Sequence, residues 1–329
     1  MGFLNMIDSY GREIDYIRIS ITDRCNLRCV YCMPECGVES VSHDKILRYN
    51  EILYLGEIFA ELGIKKIKIT GGEPLVRKGV SSLIRDLKRI PGIEKVTITT
   101  NGVNLEERAD EFSNAGIDGI NLSLDTLNPE VFFKITRRND FEKVIRGFHA
   151  ALAHKEIPLK INCVPMGIEG QNIFELAELS RKYPVHVRYI EMMPIGLGKE
   201  YTGSTEEEIL KELEKRYGTG MKFSGNLGNG PGHYYEFTGF QGKIGFISAM
   251  SHKFCSSCNR VRLTSEGYLK TCLQYDSGTD LRALLRRGAS KEEIKEAIRK
   301  AIQEKPRAHQ FTEKQNGHGE RHMMSQIGG

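Results

Sequence analysis

Apolar and polar positions along this chain follow two alternating rhythms. Short runs rich in β-branched residues occur at 16–22, 65–70, 95–99, 118–124, 159–164 and 185–190, and they read as strands. Between them, at 50–62, 80–89, 105–115, 140–154 and 172–183, charged residues are spread among apolar ones at helical spacing. Strand and helix taken in turn this regularly predict a parallel sheet, because parallel neighbours need a long crossover between them. Six such units are fewer than the eight of a closed barrel. The pattern therefore predicts an α/β protein built on an open, partial (β/α)6 TIM-like barrel, with its chemistry at the carboxyl ends of the strands.

After about Ile195 the pattern shifts, with Gly198, Gly203, Gly218, Gly220 and the segment GNLGNGPG at 225–232 interrupting it. Regular alternation is expected to end there, which divides the chain into a barrel over 1–220 and a C-terminal extension over 221–329. Gly228 and Gly230 superficially resemble a nucleotide loop, but Pro231 and the absence of a following helical pattern predict a plain turn. A helical stretch at 291–304 precedes a polar tail ending Ile327-Gly328-Gly329, of the kind that is ordinarily disordered.

Composition narrows the function. Charged residues make up 27% and hydrophobic ones 40% of 329 residues, ordinary for a globular protein, and no apolar run approaches the roughly 18 residues of a membrane helix. The N-terminus lacks a basic segment followed by an apolar core, so a cytoplasmic, reducing location is expected, with no membrane partner. Persistent disulfides are rare there, which makes metal ligation the leading use of the eight cysteines. A net charge of +4 without a block of Lys or Arg gives no nucleic-acid footprint and suits a small anionic substrate.

Three of those cysteines, Cys25, Cys29 and Cys32, share one loop directly after the first strand, at C-x3-C-x2-C spacing. Structural zinc almost always takes four protein ligands, and a four-iron four-sulfur cluster given only three cysteines keeps one iron open to another ligand. A zinc loop completed by Cys36 or His43 competes with the cluster reading, under which Cys36 is a bystander. With Tyr31 just before the last cysteine, the loop resembles the radical S-adenosylmethionine superfamily. The resemblance implies that S-adenosylmethionine chelates the open iron and is cleaved by one electron to a 5′-deoxyadenosyl radical, which redox-inactive zinc could not achieve. Thr70-Gly71-Gly72-Glu73-Pro74, after the second strand, matches the superfamily's glycine-rich contact. By the same resemblance Tyr31, Gly72, Glu73, Ser123 and Met193 contact S-adenosylmethionine.

A second set, Cys255, Cys258 and Cys272, follows C-x2-C-x13-C spacing with Arg260 and Arg262 beside it. On this motif alone a zinc knuckle completed by a histidine such as His252 and a second cluster stand equally open. The arginines suggest an anion, since guanidinium forks match phosphate oxygens. Taken with the N-terminal loop and the double glycine, the set resembles the GTP 3′,8-cyclase family over nearly the whole chain. That resemblance implies two four-iron four-sulfur clusters, the second holding the guanine of GTP, and abstraction of the ribose C3′ hydrogen followed by attack on guanine C8 in molybdenum cofactor (molybdopterin) biosynthesis. It maps Arg18, Lys68, Thr99, Lys160, Arg260, Val261 and Arg262 onto GTP contacts, assigns Arg260, Arg262, Gly328 and Gly329 to catalysis, and implies a reductant and the next enzyme of the pathway as partners of a monomer or homodimer. Lys68 stands where the family usually has arginine, so altered triphosphate binding is expected there.

Cations on barrel strands are costly to bury without an anion, and Arg18, Lys68 and Lys160 together suggest a phosphate well. Two rival readings remain. A peptide-modifying radical enzyme with an auxiliary cluster would ignore GTP, and a zinc-stabilised binding module would be colourless.

Overall fold

In the computed structural model, residues 5–311, 320 and 322–328 are described. The six expected strands are present as β1 (Tyr16–Ser20), β2 (Lys66–Thr70), β3 (Lys95–Thr100), β4 (Ile120–Ser123), β5 (Leu159–Cys163) and β6 (His186–Ile190). They lie in sequence order, each parallel to the next. Helices α1 (Tyr49–Glu61), α2 (Val80–Lys88), α3 (Ala109–Ala115), α4 (Pro129–Thr136), α5 (Phe141–Ala153) and α6 (Ile173–Lys182) form the crossovers. All but α4 match the expected helical stretches. Residues 106–108 form a 3-10 turn, so α3 starts later than the pattern suggested.

One more helix follows 195 before the regular strand–helix alternation ends, as expected, in a run of strands. Helix α7 (Glu206–Tyr217) follows, started by a capping box between Thr205 and Glu208. Then come β7 (Met221–Phe223), β8 (His233–Glu236), β9 (Ile244–Ile247), β10 (Arg260–Leu263), β11 (Tyr268–Lys270) and β12 (Thr279–Asp280), with α8 (Leu281–Arg286), α9 (Lys291–Gln303) and α10 (Met324–Ile327). Strand β9 joins β6 and β10 joins β1, both in parallel, while β8, β7, β11 and β12 add antiparallel edges. The result is one twelve-stranded sheet to which 1–220 and 221–329 both contribute.

The strands are two-faced. Ile17, Ile19, Ile67, Ile69, Val96, Ile98, Ile161 and Val261 belong to the main apolar core. Their neighbours one residue away, such as Arg18, Lys68 and Arg262, point to the opposite face, because side chains alternate along a strand. Burying those apolar side chains drives folding, and the opposite face is left for the site.

Candidate active site

A cavity of about 280 Å³ opens on that second face. Its basic wall follows from register: Arg18 is paired with Arg262 on one side and Lys68 on the other, so three cations stand in one row across β10, β1 and β2. Tyr16 and Arg260 pair one pleat away. Across the cavity Arg188 on β6 donates to Asn121 Oδ1 (2.9 Å) and Asn162 Oδ1 (2.5 Å). The Nε atoms of Arg188, Arg260 and Arg262 are buried without a hydrogen-bond partner among the described residues. Burial first, then Arg188, Arg18, Lys160 and Arg260, hold the Lys68 ammonium well below its ordinary pKa. Burial and Arg188 bring Lys160 down to about 8. So dense a group of cations lowers its own proton affinity until an anion enters.

The cysteine loop closes the opposite end. Its backbone hangs on α4, with Arg28 N donating to Thr136 O (2.9 Å) and Val30 N to Ile135 O (2.9 Å). Helix α4 is itself started by Asn128, whose side chain accepts from Glu130 N and Val131 N ahead of Pro129. Gly72 has no room for a side chain: a Cβ would lie 2.4 Å from Arg24 O and 2.6 Å from Asp23 O. Gly72 N instead donates to Thr22 O (2.7 Å) and Glu73 N to Arg24 O (2.7 Å), clipping the glycine-rich loop onto the start of the cysteine loop.

Two buried carboxylates flank the thiols. Glu73 accepts from Leu75 N (2.9 Å), Thr100 Oγ1 (2.7 Å) and Asn101 N (2.6 Å). Asp125 accepts from Tyr31 Oη (3.1 Å) and Val164 N (2.8 Å). Burial raises Glu73 to about 7 and Asp125 to about 6 despite those bonds. Burial, helped by Glu73, pushes Cys25 up to about 11; burial and Cys25 push Cys32 up to about 12; Cys29 also rises, through burial and then Cys32. Three half-buried thiols whose ionised forms are this disfavoured suit a positively charged metal group that takes up their charge. No three Cys, His, Asp or Glu side chains among the described residues converge on a single ion. A cluster, in which each thiolate binds a different iron, asks for more widely spread sulfurs than one ion does.

The second cysteine set is built differently. Arg12, paired with Asp8 (2.6 Å), donates to Cys255 O (2.9 Å), Arg307 O (2.9 Å) and Pro306 O (2.8 Å). Lys305 Nζ donates to Arg260 O (2.9 Å) and Thr271 O. Burial opposes ionisation of Cys258, but Lys305, Arg260 and Arg262 outweigh it and bring the thiol down to about 6.

The tail also reaches the cavity. Met324 and Ser325 line it, and Ile327 packs with Ile195 and Leu273. The Ser325 backbone lies near enough to Cys32 to favour its ionised form, against the effect of burial. Gly328 adopts φ +76°, where a Cβ would lie 2.9 Å from Ser20 Cβ and 3.0 Å from Thr70 Oγ1, so both conformation and space call for glycine. Gly329 lies outside the described residues, as do 312–319 of the tail.

Of the residues singled out in the sequence, Arg18, Cys25, Cys29, Tyr31, Cys32, Lys68, Gly72, Glu73, Thr99, Ser123, Met193, Arg260 and Arg262 line this one cavity. Lys160 sits one pleat below Asn162 and off the wall, and the Val261 side chain lies in the core, leaving only its backbone for the site. The turn at Gly228, Asn229 and Gly230 borders the cavity instead of lying idle at the surface. Sequence reasoning missed Arg188, Asn121, Asn162 and Asp125. The signal for Arg188 was present, a charge inside the strand HVRYI, and is the one that found Arg18.

Comparison with known proteins extends the picture. The Radical SAM superfamily matches residues 19–182 and Molybdenum Cofactor Synthesis C matches 185–311. A GTP 3′,8-cyclase of Clostridium perfringens (strain SM101 / Type A) is 44% identical over 325 residues, 98% of this chain and 100% of that protein. One from Syntrophomonas wolfei is 46% identical over 330 residues, with the same coverage of both chains. Among solved structures, Streptococcus suis SuiB bound to its precursor peptide SuiA superposes with a TM-score of 0.60 at 14% identity, covering 90% of this chain and 66% of that one. At that identity the likeness is one of fold. No helix among the described residues is long and apolar enough to cross a membrane.

Proposed function

The chain belongs to the GTP 3′,8-cyclase family of radical S-adenosylmethionine enzymes, and from that premise we propose that its cavity divides two ligands by charge. The reaction is conversion of GTP to (8S)-3′,8-cyclo-7,8-dihydroguanosine 5′-triphosphate in molybdenum cofactor biosynthesis. Arg18, Lys68, Arg188 and Arg262 receive the triphosphate, with Lys160 adding charge from below. S-adenosylmethionine, which carries a sulfonium and an ammonium, lies toward Glu73 and Asp125, against Tyr31, Gly72, Ser123 and Met193.

Cys25, Cys29 and Cys32 hold one four-iron cluster, and Cys255, Cys258 and Cys272 hold the other. When bound, the first cluster and S-adenosylmethionine supply the one-electron chemistry that opens the reaction, with the electron coming from an external reductant. The chain's own residues orient. The asparagines of β4 and β5 fix Arg188, the apolar contacts of Ile195, Leu273 and Ile327 exclude water beside the tail, and Gly328 fills the space between Ser20 and Thr70.

The observation that carries this reading is the set of buried guanidinium Nε atoms, those of Arg188, Arg260 and Arg262, that have no hydrogen-bond partner among the described residues, because a buried cation wants an anion. The test is anaerobic incubation of the reconstituted protein with S-adenosylmethionine, GTP and dithionite, scored by mass spectrometry. Formation of both 5′-deoxyadenosine and a cyclised guanine product is expected, the second lost when Cys255, Cys258 and Cys272 are replaced by alanine. Deoxyadenosine without a GTP-derived product would point to another substrate.

A further inference from the structure

We propose that the buried Lys270–Glu320 ion pair is a clamp that seats the C-terminal tail in the cavity and ties that seating to the chain segment carrying Cys272. The functional consequence rests on the cyclase reading above; the clamp itself is a statement about this chain alone.

Lys270 ends β11, two residues before Cys272, and its ammonium meets Glu320 with both side chains almost fully enclosed, at 3% and 2% exposure. The ammonium also donates to Tyr275 O (2.5 Å). Glu320 is held by more than its charge. Its backbone N donates to Gln274 O (2.6 Å), and its Oε1 accepts from His322 N (2.8 Å) and faces His322 Nδ1 (2.8 Å). Gln274 Oε1 in turn accepts from Gln310 N (2.5 Å). Between these anchors Leu273 packs on Ile327, with Met324 and Phe311 around them. The segment 270–274 thus holds residue 310 before the tail, residue 320 within it and residue 327 near its end.

The tail's own secondary structure does not hold it in place. Helix α10 has four residues, far below the length at which a helix is stable alone. Its place beside Thr70 must come from docking, in which Ile327 is an apolar anchor and Glu320 an ionic one. A charge pair removed this far from water fixes register in a way an apolar contact does not. Because Cys272 shares the segment with Lys270, Leu273 and Gln274, whatever orders that segment also favours the seated tail.

The test is a double-mutant cycle of Glu320→Leu, Lys270→Met and the doubly substituted protein, with Glu320→Asp as the conservative variant. Hydrogen exchange over 322–328, measured on the intact protein without turnover, is the direct readout. Each single substitution leaves one buried charge without its ion-pair partner across the clamp and is expected to speed exchange there by about 100-fold. The double substitution, having no charge to strand, should recover most of the protection. Glu320→Asp should lie between.

In turnover, kcat should fall with the loss of protection, and in Glu320→Leu, which leaves Lys270 and its register partner Arg262 in place, the KM for GTP should stay within about twofold. Single variants that exchange like the parent, or a double variant whose loss equals the sum of the singles, would overturn the clamp. Should a single variant lose iron, the double variant carries the comparison, because apolar replacement of a buried pair is generally tolerated. Failure of the parent protein to make a cyclised product would instead sink the cyclase reading and leave the exchange result standing.

Discussion

Replacing Lys68 by arginine should change the proton traffic of GTP binding more than its strength at neutral pH. In the free protein Lys68 is held well below its ordinary pKa by burial and by Arg188, Arg18, Lys160 and Arg260, and Lys160 is held at about 8. A bound triphosphate reverses the balance, so both lysines should bind protons more tightly in the complex. The sign follows: affinity is full below the free-state pKa and falls as pH rises through it, because the unbound protein has shed protons that the complex needs. For Lys160 alone, with a free value of about 8, affinity should weaken about 8-fold, or roughly 1.2 kcal/mol, between pH 7.5 and 9. At pH 8 Lys160 should take up about 0.5 proton on binding, and Lys68 should add up to about one more. Arginine does not deprotonate in proteins, so Lys68→Arg should remove the Lys68 share and flatten the affinity profile above pH 8. Titration calorimetry of GTP into the reconstituted protein, without reductant and in buffers of different ionisation enthalpy, counts the protons directly. Identical proton uptake in the parent and Lys68→Arg proteins would refute the reasoning.

Gly72→Ala would drive a Cβ into Arg24 O and Asp23 O, backbone atoms that cannot step aside; a destabilisation of about 3 kcal/mol and loss of S-adenosylmethionine binding are expected, to be read by denaturant unfolding and equilibrium binding. Removing Gly328 and Gly329 should abolish the cyclised product while leaving iron content unchanged, and unchanged turnover of the truncated protein would contradict the placement of Gly328 between Ser20 and Thr70. Lys305→Met removes a buried positive charge that acts on Cys258 and Cys272, and should lower the reduction potential of the second cluster by roughly 50–150 mV in a potentiometric spectroscopic titration, with Lys305→Arg restoring most of it.

Strands β1 to β6 were legible because each is a β-branched run bounded by a helix long enough to show its period. Helix α4 was not, although Asn128-Pro129 is a standard start signal, because its eight residues are too few to show a period and lie just before α5. Strands β9 and β10 are four residues each, too short for periodicity to speak, and their pairing with β6 and β1 is a tertiary event. The cysteine motifs and Thr70-Gly71-Gly72-Glu73-Pro74 were legible because metal and close-approach chemistry constrain residue type at fixed spacing. Arg188 needed only the inward-charge argument already used for Arg18. Lys270 and Glu320 could not have been paired in advance, since nothing local links a lysine at a strand end to a glutamate far along the tail.

The two cysteine sets present opposite electrostatics, the first lining the cavity and the second lying behind Arg260 and Arg262, and in the proposed reading that contrast keeps the two ligands apart. At the first, Glu73 and Asp125 join the thiols in disfavouring further negative charge, so a cationic group is the natural neighbour. At the second, Lys305, Arg260 and Arg262 stabilise negative charge, first on Cys258 and then on whatever anion lies across the basic row. A triphosphate placed at the first set would meet two buried carboxylates, and a sulfonium placed at the second would meet buried guanidiniums. Each misplacement sets like charges together in a poorly screened interior, where they are far more costly than in water. Under the proposed function, orientation of the two ligands is therefore built into the register of β10, β1 and β2 and into the cysteine loop hung on α4, before either ligand arrives.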